Sequence, residues 1–300
     1  IEEGVPSRVL GVLFEGEEPP VHVGLRWEMD FGQGDIVDRG AVDEAVTRAQ
    51  ARLREQGYLE ARLRLGSLEP TDAGVMVRVR SHVGPRYEVL IRGNGPIPRS
   101  ELYDELRVTE ERPREGALLA MEGRVRRLVQ RHGFPDAAVV VRRVQAPRRP
   151  AVPLDPLTGA LILVDLRLGR WVRVTTRSYP GARHLAGEDL DEQVDAVLDE
   201  AIDEVGPLEP IDSLVTGRLL VDPGLRRTSA PPIDLTPPEV WYEDAYETAV
   251  EHLQELYRAD GYLDATVGPA RLERTGEHTG RVVIPVVEGP RTRLHRMTLT

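Results

Sequence analysis

Three times in 300 residues the chain writes nearly the same phrase: LREQGYLEA from Leu53 to Ala61, LVQRHGFPDA from Leu128 to Ala137, and LYRADGYLDA from Leu256 to Ala265. Repetition on this scale constrains a fold more than composition does, because each copy must be one supersecondary unit and its neighbours must be built alike. The glycines of the three copies, Gly57, Gly133 and Gly261, lie 76 and 128 residues apart. Upstream of each, apolar residues fall at helical spacing. These are Val42, Ala45, Val46, Ala49 and Leu53 in the first copy, and Leu118, Met121, Val125, Leu128 and Val129 in the second. In the third they are Tyr242, Ala245, Tyr246, Ala249, Leu253, Leu256 and Tyr257. Each copy therefore predicts one amphipathic helix with one stripe to bury. Glycine ends it by entering the left-handed region, and Tyr58, Phe134 or Tyr262 folds back onto the last turn. The third helix also has a written start at Thr236-Pro237-Pro238-Glu239, a hydroxyl cap with a Glu three residues on.

After each aromatic the pattern changes to period two. Strands are expected at Ala61 to Leu65 and Gly74 to Arg80, at Ala138 to Val144 and Ala160 to Leu166, and at Thr266 to Leu272 and Arg281 to Val287. Alternation is clearest in VMVRVR, Val75 to Arg80, with one apolar face and one carrying Arg. The second strand of each pair ends on a further glycine, Gly84, Gly169 or Gly289, and a fresh strand begins almost at once: Tyr87 to Ile91, Val172 to Thr176, Arg293 to Leu299. The end of one unit is thus the start of the next, which predicts short, stiff joints rather than flexible linkers.

Length allows two to four domains of ordinary size, and with 40% hydrophobic but only 5% aromatic residues each core should be lightly built. No stretch approaches the ~20 apolar residues of a membrane helix, and no charged-then-apolar leader opens the chain, so a soluble chain is expected. There is no cysteine, hence no disulfide or thiolate site, and the seven histidines never pair at helical metal-site spacing. All 39 basic residues are Arg. The net charge of −11 originates in one segment, Ala186 to Asp212, which holds eleven acids and no Arg. Elsewhere the charges cancel, which disfavours a nucleic-acid partner.

Strand, helix, helix ending in GY, strand, strand ending in EGP, next strand closing on GN: this order, carried by RADGYLDA, VVEGPRTRL and VGPRYEVLIRGN, resembles the POTRA (polypeptide-transport-associated) repeat. Such repeats form the periplasmic arm of outer-membrane insertases of the BamA and TamA class. The resemblance implies an α+β fold of tandem β-α-α-β-β modules in an elongated string, each a three-stranded mixed sheet covered by two helices. It implies an atypical first module at 1–84, a second at 85–168, a third at 169–289 with an insertion at about 186–238, and the first strand of a following element at 290–300. It further implies a periplasmic arm attached to the outer membrane, with no cofactor. That arm binds unfolded outer-membrane polypeptides and accessory periplasmic proteins or lipoproteins, ahead of a C-terminal transmembrane β-barrel. Arms of dedicated two-partner secretion transporters and cell-division scaffolds use the same module.

In that family a client adds a strand to the sheet edge after GY, which is physically reasonable, since an edge offers unpaired N–H and C=O groups to almost any extended chain. The expected edges are Ala61 to Leu65, Ala138 to Val144 and Thr266 to Leu272, with Ala138, Val139, Val140, Val141, Arg142, Thr266 and Val267 as the binding residues. The competing reading is an edge guarded by charge, through Arg62, Arg64, Arg142, Arg143 and Arg271. AAVVV, Ala137 to Val141, is the least protected.

Three segments depart from the pattern. The first module lacks an obvious first helix between Glu15 and Gly40, where VHVGLRWEM, Val21 to Met29, reads as an extra strand. Ala146 to Pro156 reads as a mobile Pro/Arg-rich loop, in which Arg148 and Arg149 are solubilisers or contacts for anionic head groups. The third module carries an acidic helix, roughly Gly187 to Val205, with an apolar row at Leu190, Val194, Leu198 and Ile202. A parallel row of Asp191, Asp195, Asp199 and Asp203 is either a solvated face or a docking face for a basic partner or loose divalent cation. No nucleophile elbow, zinc motif, phosphate loop or dinucleotide turn is present, so no enzyme is expected, with a hydrolase on the acidic segment as the remote alternative.

Overall fold

In a computed structural model the described residues are 8–20, 38–147, 157–202 and 233–292, together with positions 23, 25, 34, 36 and 208. The chain divides into two compact units. One comprises Ile1–Arg92, Leu106–Glu122 and Val140–Val164; the other comprises Gly93–Glu105, Gly123–Val139 and Asp165–Thr300.

The first unit opens with β1 (Val9–Gly16), followed by α1 (Arg39–Glu55), β2 (Arg62–Thr71) and β3 (Gly74–His82). The strand order is β1-β3-β2, with β1 parallel to β3 and β2 antiparallel to it. This mixed sheet follows from connectivity: a tight turn joins β2 to β3, whereas a parallel β1-β3 pair needs a crossover that carries a helix. The Asp38 carboxylate caps α1 by accepting the Gly40 N–H at 2.8 Å. The predicted stripe is the buried one: Val42, Ala45, Val46, Ala49 and Leu53 are all at most 2% exposed. They pack on Val77, Val79 and Leu63 from the sheet. Each fully buried Val or Leu side chain contributes about 1.5–3 kcal/mol. The expected strand at Val21 to Met29 lies outside the described residues apart from Val23 and Leu25, and these two are helical rather than extended, because both turn into the same core.

A second sheet has the order β4-β6-β5, made of β4 (Arg86–Arg92), β5 (Ala138–Gln145) and β6 (Thr158–Arg167). Between β4 and β5 the chain forms α2 (Arg99–Leu106) and α3 (Glu115–Arg131). In α3 the fully buried residues are Met121, Val125 and Val129, with Ala117 close behind, whereas the expected Leu118 and Leu128 are half-buried. The stripe is rotated slightly toward Ala117.

The second unit contains β7 (Arg173–Ser178), α4 (Gly187–Ala201), α5 (Glu243–Ala259), β8 (Thr266–Val267), β9 (Arg271–Arg274), β10 (Thr279–Val283) and β11 (Val286–Val287). Its three-stranded sheet has the order β7-β10-β9, with β10 parallel to β7 and antiparallel to β9; β8 and β11 form a separate antiparallel ribbon. Leu190, Val194, Leu198 and Ile202 are at most 1% exposed and share one core with Tyr246, Ala249, Leu253 and Tyr257. The acidic helix is therefore the first helix of this β-α-α-β-β unit, contributing one buried row to its core, rather than added matter. Its extra acids sit on a helix that the fold requires anyway.

Two boundaries differ from expectation. Thr236 to Glu239 does form a reciprocal cap, with the Glu239 carboxylate accepting the Thr236 N–H at 3.1 Å, but it starts a single turn at Pro237–Glu239. The helix proper starts at Glu243 after extended Val240 and Tyr242, because Val240 already turns inward to the core. The strand expected from Thr266 to Leu272 is broken. Gly268 takes φ +77° and Pro269 has no N–H to give, so the ladder stops and resumes at Arg271.

Candidate functional site

Each repeated phrase ends its helix with the same pair of hydrogen bonds. Gly57, Gly133 and Gly261 donate to the carbonyl three residues back (2.9, 2.8 and 3.0 Å), and Tyr58, Phe134 and Tyr262 to the carbonyl five back (2.9, 3.3 and 3.0 Å). This is the Schellman arrangement, and it needs the positive φ values of +93°, +86° and +93° that the glycines adopt. Ala61, Ala137 and Ala265 then donate to the carbonyls of those aromatics, closing a turn into the following segment.

At each junction the glycine carbonyl accepts the N–H of a residue just past the second punctuation. Tyr87 N–H donates to Gly57 O at 2.8 Å, Val172 to Gly133 O at 2.8 Å, and Thr292 to Gly261 O at 2.7 Å. Each donor follows the second punctuation, where Gly84, Gly169 and Gly289 turn at φ +70°, +73° and +69° against Glu60, Asp136 and Asp264. At the first junction Arg86 Nε donates to Gln56 O at 2.9 Å, and at the third Arg291 Nε donates to Asp260 O at 3.0 Å. At the second, Trp171 stands in that place and stacks on His278, centroids 4.3 Å apart and 7° from parallel. A third set of glycines was not read from the sequence as a set. Gly16, Gly93 and Gly181, at positive φ, press against the carbonyls of Ser81, Leu166 and Val286, where a Cβ would come within 2.3, 2.1 and 2.0 Å. Each of those carbonyls lies three residues before Gly84, Gly169 or Gly289, which was the available signal.

The edges fall partly where expected. β2, β5 and β9 each lie at one edge of the three larger sheets, with β1, β4 and β7 at the other. β5 alternates: Val139 and Val141 are buried, while Ala138, Val140 and Arg142 face outward, with Val140 50% exposed. Among the described residues no strand lies outside β5. Its second arginine is not a free guard: Arg143 pairs with Glu60 at 2.9 Å and covers the Tyr87 ring at 5.4 Å. The Tyr87 hydroxyl donates to the same Glu60, and burial together with that carboxylate raises its pKa. Thr266 and Val267 are instead paired with Val287 and Val286 in the short ribbon, and the break at Gly268 leaves no continuous third edge.

The acidic row does not act as one face. Arg177, whose side chain is only 8% exposed, reaches Asp195 at 2.6 Å and Asp191 at 3.7 Å, donates to the Pro238 carbonyl at 2.7 Å and to Tyr246 Oη at 3.1 Å. Tyr179 donates to Asp191 at 2.7 Å. Asp199 is exposed, and Asp203 lies outside the described residues. Two of the four acids are thus consumed internally by Arg177, which lies one residue past the strand expected at Val172 to Thr176. Among the described residues no group of three His, Asp or Glu is placed to hold a metal ion, and no helix is long and apolar enough to cross a membrane.

Among the described residues the order of elements is β-α-β-β around the first sheet and β-α-α-β-β around the second and third, which defines an α+β chain of POTRA-like layers. No protein-family model and no curated protein matches the chain. Among solved structures it is similar to POTRA domains 3 to 5 of BamA from Haemophilus influenzae, at 15% identity over 93% of this chain and 96% of that one, with a TM-score of 0.36. The N-terminal domain of Omp85 from the cyanobacterium Thermosynechococcus elongatus matches at 11% identity over 95% and 98%, TM-score 0.31. POTRA domains 1 to 3 of Omp85 from Anabaena match at 14% over 95% and 98%, TM-score 0.30. The fold assignment rests on the topology above and not on these likenesses.

Proposed function

We propose that the chain is the periplasmic arm of an outer-membrane protein assembly or transport factor, with modules at 1–84, 85–168 and 169–289 and a transmembrane β-barrel following in the full-length protein. It is a binding arm rather than an enzyme. Clients are unfolded outer-membrane polypeptides, taken up as an extra strand on β5 at Ala138, Val139, Val140, Val141 and Arg142; accessory periplasmic proteins use neighbouring surface. The observation that carries this reading is the open flank of β5, eight residues long, with Val140 outward and Arg143 turned away into the junction.

The energetics suit a handler of many chains. Each added backbone hydrogen bond yields a net ~0.5–1.5 kcal/mol, and a few of them must offset association costs of at least ~4 kcal/mol. Binding is then weak and indifferent to side-chain sequence. The test is Val140→Pro, which removes a ladder donor from an outer strand while leaving the module folded. In an NMR titration with extended amphipathic peptides the variant should lose the β5 shift changes; unchanged shifts overturn the site. Continuation of the coding sequence into alternating strands of about ten residues tests the arm assignment separately.

A further inference from the structure

The outer face of the first sheet carries an unbalanced concentration of positive charge. Arg62 and Arg64 are exposed on β2, and Arg80 is exposed on β3, where the register sets it directly opposite Arg64. Directly opposed residues on one face stand ~4.5–5.5 Å apart at Cβ, and like charges there destabilise the sheet. A cleft of about 490 Å³ opens at this place, lined by these three arginines together with Glu15, Gly16, Ser81 and His82. Arg54 at the end of α1 and Arg112 and Arg114 before α3 gather near the same edge. The Arg112 pKa is lowered, first by burial and then by the charges of Arg62, Arg54, Arg114 and Arg64.

The carboxylates that might neutralise this face are already engaged. Glu15 is held by Arg78 at 2.9 Å, and Glu69 by the same arginine at 2.6 Å. Glu17 accepts the N–H groups of Val83 and Gly84 at 2.6 and 2.8 Å and pairs with His82 at 3.1 Å. Among the described residues, Arg54, Arg62, Arg64, Arg80, Arg112 and Arg114 have no carboxylate within ion-pair distance, and the Arg54 Nε is fully buried without an acceptor. In a chain of net charge −11 this local surplus is not a by-product of overall basicity.

We propose that this cleft binds a phosphate group of charge −2, with Arg64 and Arg80 as its paired ligands and Arg62 beside them. A single carboxylate neutralises only one of two opposed guanidiniums. A phosphomonoester or pyrophosphate neutralises both and offers oxygens to two planar donor forks at once. The chemistry is shared by a soluble phosphoanion and by a phosphomonoester head group of a lipid. The site is independent of the β5 edge, so each stands or falls without the other.

The test titrates the full isotope-labelled chain with sodium pyrophosphate at constant ionic strength, following the amides of residues 62–64 and 80–82. Saturable shifts are expected, with affinity falling at least tenfold in Arg64→Gln/Arg80→Gln. Co-sedimentation with phosphatidylcholine vesicles, with and without phosphatidic acid, distinguishes the sources. Retention only by phosphatidic acid, relieved by pyrophosphate, marks a lipid-borne phosphate; pyrophosphate binding without retention marks a soluble one; either supports the site. Shifts that chloride reproduces at equal ionic strength, or a double variant that binds as the parent does, overturn it. If the double variant fails to fold, the exposed Arg62→Gln serves alone, with a threefold or greater loss expected and none overturning the proposal. Thermal melting gives a second sign: Arg64→Gln should raise Tm in anion-free buffer and lose the pyrophosphate-induced rise.

Discussion

The junctions at Gly57 and Gly133 make the same hydrogen bonds and have different tolerances. At Gly57 a Cβ would stand 2.8 Å from the Tyr87 carbonyl, and at Gly261 2.9 Å from that of Thr292. At Gly133 the nearest backbone atom, Val172 O, is 3.7 Å away, and what crowds the position is the tip of Leu235 at 2.4 Å. Backbone fixed in a ladder cannot retreat, whereas a leucine methyl can. The fixed partner also differs: an arginine reaches the preceding carbonyl at the first and third junctions, and an aromatic stack stands there at the second. One motif therefore sets the path of the chain, and its surroundings set how rigid that path is.

The comparison breaks most sharply under Gly57→Ala. The left-handed backbone costs an L residue ~1–2 kcal/mol, and the carbonyl contact adds to it, so a loss of about 3 kcal/mol is expected in the amide-exchange stability of α1. Gly133→Ala should cost only the backbone part, about 1–2 kcal/mol, since Leu235 swings aside. Equal losses would refute the distinction. Next in size is Trp171→Ala, which removes the stack on His278 and should cost about 0.5–1.5 kcal/mol in unfolding stability followed at β7. A variant as stable as the parent would mean that the ring only fills space.

The smallest effect is one of pH. His132, next to Gly133, contacts Glu101 at 2.8 Å through Nε2 and leaves Nδ1 buried without a partner. Burial, the stronger influence, lowers its pKa although the Glu101 carboxylate and hydrogen bond pull the other way. The folded chain thus takes up this proton at a lower pH than the unfolded chain, which protonates near its ordinary pKa of ~6.5. Stability from this site is complete above that pH and falls as the pH drops below it. His132→Gln should flatten the fall that begins below about pH 6.5, measured by urea midpoints; an unchanged slope assigns the acid sensitivity elsewhere.

Much of the fold was legible. The helical stripes ending at Leu53 and Tyr257, the mixed α+β layering and the three stop glycines follow from period and punctuation, both local properties of the chain. The candidate edge at β5 was legible as the uncharged run AAVVV just after GF. What escaped was decided at a distance. Gly16, Gly93 and Gly181 are required by carbonyls more than sixty residues away, and Arg177 finds Asp195 only once β7 lies beside α4. The acidic helix looked like added matter because its acids are conspicuous and its apolar row is short of aromatics, yet that row closes the core. Thr266 to Leu272 read as one strand because Gly268-Pro269 is a weaker signal than the alternation around it.

The sequence by itself determined where helices stop, which faces are apolar and how often the unit recurs, since those depend on φ preference and on neighbours within one or two turns. Only the tertiary structure decided which charges are spent and which are left over. Electrostatic balance belongs to side chains brought together through space: Asp191 and Asp195 are consumed by Arg177, while Arg64 is set opposite Arg80 with its nearby carboxylates already held by other partners.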